Sequence, residues 1–84
     1  MKEQKPIGVV THYYGGLGVA IVKFNKKVKT GERVHFKGHT TDFEETLKSM
    51  QFDHKEVQEA GKGEEIGVKV KEKVRSGDEV YLAE

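Results

Sequence analysis

The most informative part of the sequence for the fold runs from Lys48 to Val70 and reads KSMQFDHKEVQEAGKGEEIGVKV. In residues 66–70, apolar Ile and Val at every second position alternate with glycine and lysine, which is the period of a strand with one buried face. The preceding residues 59–64 contain two glycines that can adopt positive φ, and they predict a sharp turn. Gly67 lies inside the strand, where a glycine indicates a bulge or a close approach of another backbone segment.

Residues 41–57, which overlap the start of this stretch, fit two conformations. Their apolar side chains fall at helical spacing, and Thr41 with Glu44 forms a capping-box pattern. Phe52, however, falls off this helical stripe. If the segment is instead a strand with one bulge near residues 48–49, Leu47 and Met50 lie on the same face. Periodicity alone leaves a helix and a bent strand open.

The rest of the chain alternates short strand patterns with glycine turns. The predicted strands are residues 7–14, 19–24, 33–37 and 79–83, in addition to 66–70. Six or seven strands without a confident helix predict an all-β fold, a small closed antiparallel β-barrel. Residues 1–6 are predicted to be a polar lead-in ending at Pro6, and residues 7–84 a single β-barrel domain.

Several runs resemble the second, β-barrel domain of translational GTPases such as elongation factor Tu and the bacterial initiation factors. They are KSMQ at 48–51, KEV at 55–57, EA at 59–60, GE at 63–64, IGV at 66–68, VKTGERV at 28–34 and VRSGDEV at 74–80. The resemblance implies a translation-protein-like barrel in which residues 41–57 are a bent strand. It also implies tRNA or ribosomal RNA as partners. The family's G-R-G-T-V-V-T-G segment is replaced here by GGLGVAIV at 15–22, which lacks the arginine.

Length and composition narrow the range of functions. A chain of 84 residues without cysteine forms one domain whose small core must suffice without disulfides. The formal net charge is +1, but residues 1–40 hold eight basic and two acidic side chains, whereas residues 41–84 hold seven and twelve. Such asymmetry is compatible with one basic and one acidic surface. With no signal peptide or membrane-spanning stretch in the sequence, we expect a cytoplasmic protein.

The motifs of nucleotide binding, metal binding and hydrolysis are missing from the sequence. There is no P-loop, and the glycines at 15–18 precede a strand rather than a helix. The histidines, at positions 12, 35, 39 and 54, match no metal-ligand spacing. Ser49 and Ser76 lack the context of a nucleophile. We therefore predict a non-enzymatic protein that uses no cofactor, nucleotide or metal.

Basic residues are the remaining candidates for a binding surface. The predicted RNA-binding residues are Lys23, Lys26, Lys27, Lys29, Arg33, Lys37, Lys69, Lys71, Lys73 and Arg75, with Tyr13 and Tyr14 as a stacking platform. The last four basic residues recur at every second position, so in an extended chain they all point the same way. Of two adjacent tyrosines on a strand, only one can face outward. Lysines alternating with apolar residues are also typical of any strand with one solvated face.

A protein-interaction module is the alternative function. In this case the domain docks on a separate protein domain, and its acidic residues match a basic partner. The acidic set is Asp42, Glu44, Glu45, Glu56, Glu59, Glu64 and Glu65.

Overall fold

The computed structural model describes residues 5–52 and 55–83, which form an all-β domain without a helix in those ranges. The strands are β1 Gly8–Tyr14, β2 Val19–Phe24, β3 Val28–Lys29, β4 Arg33–Lys37, β5 Asp42–Thr46, β6 Met50–Phe52, β7 Lys55–Val57, β8 Glu59–Ala60, β9 Glu65–Lys69 and β10 Glu79–Leu82. Strands β1, β2, β4, β9 and β10 lie within a residue of the predicted segments at each end. The short strands β3, β7 and β8 were not predicted as separate strands.

The main sheet contains eight strands in the order β5-β4-β10-β1-β2-β9-β6-β7, and β3 pairs with β8 beside it. All of these pairs are antiparallel. Within residues 5–52 and 55–83, no ladder joins the two outermost strands, β5 and β7. The fold is thus a curled antiparallel sheet, a half-barrel of eight strands, and the prediction of six or seven strands closed by pairing needs this correction.

The described parts of this segment, residues 41–52 and 55–57, are extended and bent, as the strand alternative predicted. Strand β5 pairs with β4 at one edge of the sheet. After three residues the chain continues as β6, which pairs with β9 near the opposite edge. Leu47 lies at the bend, where its amide donates to the carbonyl of Glu32 at 2.9 Å and its carbonyl accepts from the amide of Gly31 at 2.7 Å. Leu47 and Met50 both point into the core and are fully buried. A bend between them brings the two side chains to one face. Burial of both in the core thus favours the bent strand over the helix that the apolar spacing also allowed.

The inward face of the curled sheet forms one hydrophobic core. Its fully buried side chains come from nearly every strand, so that each strand contributes its alternate positions. The rings of Phe36 and Phe43 stack at a centroid distance of 5.2 Å across β4 and β5. The largest fully buried side chains are Phe24, Phe36, Leu47, Met50, Ile66, Val10, Val22, Val28, Val34, Val68, Val74 and Val80.

Of the two alternatives for Gly67, the bulge is wrong, because β9 pairs regularly with β2 and the register shift lies in β1 between Val10 and His12. The backbone segment next to Gly67 is that of Gln51, whose carbonyl oxygen would lie 3.6 Å from a Cβ at this position. After β9 ends at Lys69, the basic segment continues as a loop, so its side chains do not extend the strand. Buried Val70 and Val74 anchor that loop to the core.

Candidate functional site

The outer face of the sheet is where any binding surface must lie, because the inner face is filled by the core. One row across this face, the charged row, consists of Asp42, Lys37, Glu79, Val9, Lys23 and Glu65, which are successive cross-strand partners on β5, β4, β10, β1, β2 and β9. Acidic and basic side chains alternate along this row, interrupted only by Val9. Opposite charges on facing positions of neighbouring strands attract each other modestly.

The basic residues of the first cluster are distributed over this face and its edges rather than collected. Lys23 and Lys37 belong to the charged row, and each has an acidic cross-strand neighbour. Lys27 forms an ion pair of 3.4 Å with Glu59. Arg33 pairs with Glu44 at 2.7 Å between Nη2 and Oε1.

The two remaining lysines of this cluster lie at turns and edges. Lys29 lies opposite Glu59 in the ladder between β3 and β8, and Lys26 is exposed in the turn before β3. Since β4 is separated from β2 by β10 and β1, the six residues do not form one basic patch.

The second basic cluster divides into two places. Lys69 ends β9 on the outer face, and Lys71 follows it near Glu45, whose Oε1 accepts a hydrogen bond of 2.8 Å from the Lys71 amide. Lys73 and Arg75 are exposed further along the loop. There, the turn at 75–78 is tied to β1, because the Gly77 amide donates to the Val10 carbonyl at 2.7 Å. The predicted ribbon of four parallel basic side chains therefore does not exist.

The two adjacent tyrosines face opposite sides of β1. Tyr13 is half-buried and packs against the core, whereas Tyr14 is 50% exposed. The ring of Tyr14 stacks on that of His12 at a centroid distance of 6.4 Å. The expectation that only one of the two tyrosines faces outward is thus confirmed.

The acidic set of the alternative function is also dispersed. Besides the ion pairs of Glu44 and Glu59, the Oε1 atom of Glu64 accepts a 2.7 Å hydrogen bond from the Gly61 amide. Glu65 faces Lys23, and Glu56 is exposed on β7. Most of these carboxylates therefore serve local contacts.

The histidines lie apart from one another, with His54 outside the described residues. His12 is on the outer face of β1, His39 is in the turn after β4, and His35 Nε2 is in contact with Asp42 Oδ1 across β4 and β5. In residues 5–52 and 55–83 no group of three or more candidate ligands could hold a metal ion.

A second region of the outer face differs from the charged row and was missed by sequence reasoning. It consists of Tyr14, Leu17, Val19, Ile21 and Gly67, which we call the apolar patch. With Gln51 and Glu65 these residues line a surface depression of about 250 Å³. Leu17, in the hairpin tip, is 70% exposed. The floor is open because Gly67 has no side chain, although a Cβ there would meet nothing closer than 3.5 Å.

The sequence does contain a signal for this patch. Residues 19–22 read VAIV, so this strand is apolar on both faces rather than alternating. Ala20 and Val22 point into the core, and Val19 and Ile21 remain half-buried outside it. A continuous apolar run in an antiparallel sheet indicates that both faces avoid water.

Lysines border the apolar patch at one end. Lys69 is the cross-strand partner of Val19, and it lines a neighbouring depression of about 260 Å³ together with Lys48, Lys71, Glu45, Ser49 and Val70. We call Lys48, Lys69 and Lys71 the lysine rim. None of the three is in an ion pair with another described residue. The rim thus has two net positive charges after Glu45 is counted.

A further depression, with a volume of about 360 Å³, lies near the opposite end of β1, around Gly8 and Val9. Pro6, Val9 and Phe24 contribute to its largely apolar lining, while Lys23, Lys62 and Glu79 surround it. It overlaps the charged row. Its apolar surface is therefore interrupted by matched charges.

Tyr81, on β10, is bonded to a residue of the charged row. Glu79 accepts a 2.8 Å hydrogen bond from the hydroxyl of Tyr81, and this bond is the main cause of a raised pKa at Tyr81, with smaller contributions from burial and from the charge of Glu79.

No helix within the described residues is long and apolar enough to cross a membrane.

Comparison with known proteins finds a relative by sequence. Over 77 residues, which are 90% of the chain, the chain is 44% identical to an uncharacterized protease of Methanocaldococcus jannaschii. The chain spans 19% of the length of that relative. No protein-family model matches the chain.

Solved structures with the same fold come from the C-terminal domain of a Geobacillus thermoleovorans protein designated a U32 peptidase. The selenomethionine variant of that domain superposes with a TM-score of 0.87 at 21% identity, over 93% of this chain and 99% of the domain. A second structure of the domain gives a TM-score of 0.87 at 19% identity, over 100% and 99%. At these identities the likeness establishes a common fold.

The resemblance to translational GTPases is therefore wrong. The relative found by sequence is a protease, and the superposed structures belong to a U32 peptidase protein. The shared runs have a structural explanation, because 28–34 and 74–80 each contain a turn glycine, Gly31 at φ 94° and Gly77 at φ 97°, before a strand. Turns with a positive φ favour glycine in antiparallel sheets of any family. The translation-factor assignment falls, and no comparison supports RNA binding.

Proposed function

We propose that this chain is a docking module of a U32-type peptidase, which binds protein and leaves the chemistry to a separate catalytic domain. The observation that carries the proposal is the 44% identity to a protease of which the chain covers only 19%. Such a short matching segment is a domain among others in the relative. The same fold forms a C-terminal domain in the Geobacillus thermoleovorans protein.

The surface chemistry supports a binding role over a catalytic one. Two of the carboxylates and one imidazole that could act as acids or bases are engaged in exposed cross-strand pairs, Arg33 with Glu44 and His35 with Asp42. Exposed pairs of this kind remain solvated, whereas catalytic groups depend on a cleft that shifts their pKa values. The apolar patch, in contrast, is a surface of the kind that protein partners cover.

A docking experiment with the archaeal relative tests the proposal. The Methanocaldococcus jannaschii protease is produced without the segment that matches this chain, and the two proteins are mixed and followed by titration calorimetry. We expect a one-to-one complex. The intact protease is the control, because its own segment occupies the docking site and should prevent binding.

A chimera covers the case in which the truncated protease does not fold. In the chimera, this chain replaces the matching segment of the relative, and a second chimera contains an unrelated β-domain of similar size. We expect the first chimera to unfold in one transition together with the protease and the second to unfold in two. Absence of binding to a folded truncated protease, or two independent transitions in the first chimera, would refute the docking role.

A further inference from the structure

We infer that the apolar patch and the lysine rim together bind a polypeptide segment in which apolar side chains adjoin acidic ones. The inference rests on the proposed docking function and specifies the chemistry of the partner. It begins from the exposure of the patch. Tyr14 and Leu17 are 50% and 70% exposed on a chain in which 35% of residues are charged. Clustered apolar side chains on such a surface indicate a contact site.

The shape of the patch limits the occupant to something narrow. Gly67 leaves a depression between the side chains of Val19 and Ile21, whose nearest atoms would lie 3.5 and 3.6 Å from a Cβ. Tyr14 and Leu17 border the same depression. At about 250 Å³, it has room for one or two apolar side chains of a bound segment.

The charge on the occupant follows from the pairing state of the surrounding cations. Lys27 and Arg33 have acidic partners within 4 Å, and Lys37 lies between two acidic cross-strand neighbours. The lysines of the rim have no ion-pair partner among the described residues, which is also true of the separate, exposed Lys26 and Lys73. The rim differs from these two in that its three lysines line one depression. Glu45 is the one carboxylate lining their depression, and it accepts a hydrogen bond from a backbone amide. Acidic side chains of a partner would complement this excess of positive charge.

Backbone contacts connect the apolar patch to the lysine rim. Lys69 lies directly opposite Val19 in the ladder of β2 and β9. One residue further, the Val70 amide donates to the Gly18 carbonyl at 2.9 Å and fixes the hairpin tip beside the end of β9. Leu17 and the rim are therefore parts of one rigid surface, and a single segment can contact both.

Two labelled synthetic peptides of equal length test the inference without any peptidase. Both have the same leucine-rich half, joined in one peptide to aspartates and in the other to lysines. By fluorescence anisotropy, we expect the aspartate peptide to bind the chain, and to bind less tightly as salt is raised. Leu17→Ser and Lys69→Glu should each weaken binding by about tenfold or more. Val9→Ser, at an exposed apolar position of the charged row, is the matched control and should change it by less than about twofold.

Several outcomes would overturn the inference. They are failure of the aspartate peptide to bind, equal binding of the lysine peptide, or a loss of binding in Val9→Ser that is absent in Leu17→Ser. Sedimentation showing a dimer of the wild type that Leu17→Ser dissociates would assign the patch to a second copy of the chain. If the peptide binds as expected but the truncated protease does not, the docking proposal fails and the inference stands. If the protease binds equally well to Leu17→Ser and Lys69→Glu, the inference alone fails.

Discussion

The charged row and the apolar patch lie on the same outer face of one sheet, and several of their residues alternate along the same strands. Lys23 of the row and Ile21 of the patch are two positions apart on β2, and Glu65 and Gly67 are two apart on β9. Strand parity places all four outside the core. What parity does not determine is whether an outward position is charged. The outer face of a soluble sheet usually presents charged side chains to water, as the charged row does. The apolar patch does not follow this pattern, and we propose that a protein partner covers it.

The largest expected effect is a loss of stability from a substitution in the core, because both regions lie on the sheet that the core supports. Leu47 is fully buried at the bend that connects β5 to β6, on which the curled sheet depends. Leu47→Ala should lower the free energy of unfolding by about 2 to 5 kcal/mol, because it leaves a cavity in a small core. Chemical denaturation measures the change. Leu17→Ala is the control in the exposed patch and should change stability by less than about 0.5 kcal/mol. Equal losses would mean that Leu17 is not free of the core.

A pair of glycine substitutions separates the two regions. Gly38 follows Lys37 of the charged row, and a Cβ there would lie 2.0 Å from Oδ1 of the buried Asp78. The other carboxylate oxygen of Asp78 accepts a 2.9 Å hydrogen bond from the Arg75 amide, so the side chain cannot move without losing it. We expect Gly38→Ala to destabilise the fold by about 1 to 3 kcal/mol in denaturant titration.

Gly67→Ala is the counterpart in the apolar patch. Its Cβ would make ordinary van der Waals contacts at 3.5 to 3.6 Å. Alanine also reduces the freedom of the unfolded chain, so stability should be unchanged or rise by up to about 1 kcal/mol. A marked loss of stability would show that the depression is closed in solution.

A smaller effect is expected from the charges that flank the row. Arg33 and Glu44 form a short ion pair, but their side chains are 60% and 46% exposed. Glu44→Gln should therefore cost less than about 1 kcal/mol, and the difference should shrink as salt is added. Thermal unfolding at low and high ionic strength measures it. A loss larger than this, unchanged by salt, would mean that the ion pair contributes more to stability than a solvated surface pair should.

The smallest effect concerns one hydrogen bond beside the row. Glu79 accepts a bond from the Tyr81 hydroxyl, which raises the pKa of Tyr81. Because the folded state holds the phenol proton more tightly, the stabilising contribution is present below the ordinary tyrosine pKa and is lost as the pH rises through the raised one. Absorbance titration in a background of Tyr13→Phe and Tyr14→Phe reports this group. Glu79→Gln should lower its pKa, and an unchanged titration would contradict the bond.

Much of the fold was predictable because it depends on local periodicity. The strands at 8–14, 19–24, 33–37 and 79–82 have alternating or β-branched sequences between glycine turns. The bend at Leu47 could be proposed from face parity but not decided, since helical spacing fitted almost as well. The pairs β3 with β8 and β6 with β7 involve two or three residues per strand. Such pairs are too short to leave a periodic signal.

The candidate site was less predictable. The basic surface was predicted from the positions of lysines along the chain. Strand register, however, determines which of these lysines lie opposite a carboxylate. Lys37 lies opposite Asp42 of β5 and opposite Glu79 of β10, and β10 is distant from it in sequence. Lys69 meets Val19 for the same reason and is left without an acid. The apolar patch likewise forms only when β1, β2 and β9 are side by side. Only the unbroken run at 19–22 pointed to it in the sequence.

The position of β1 in the middle of the sheet also has a consequence for synthesis of the protein. β1 pairs on one side with β2, which follows it directly, and on the other with β10, the last strand. While the chain emerges from the ribosome, that second edge of β1 stays without its partner until residues 79–82 have been made. Until then the nascent domain exposes an unpaired strand edge, which is the kind of edge at which chains aggregate.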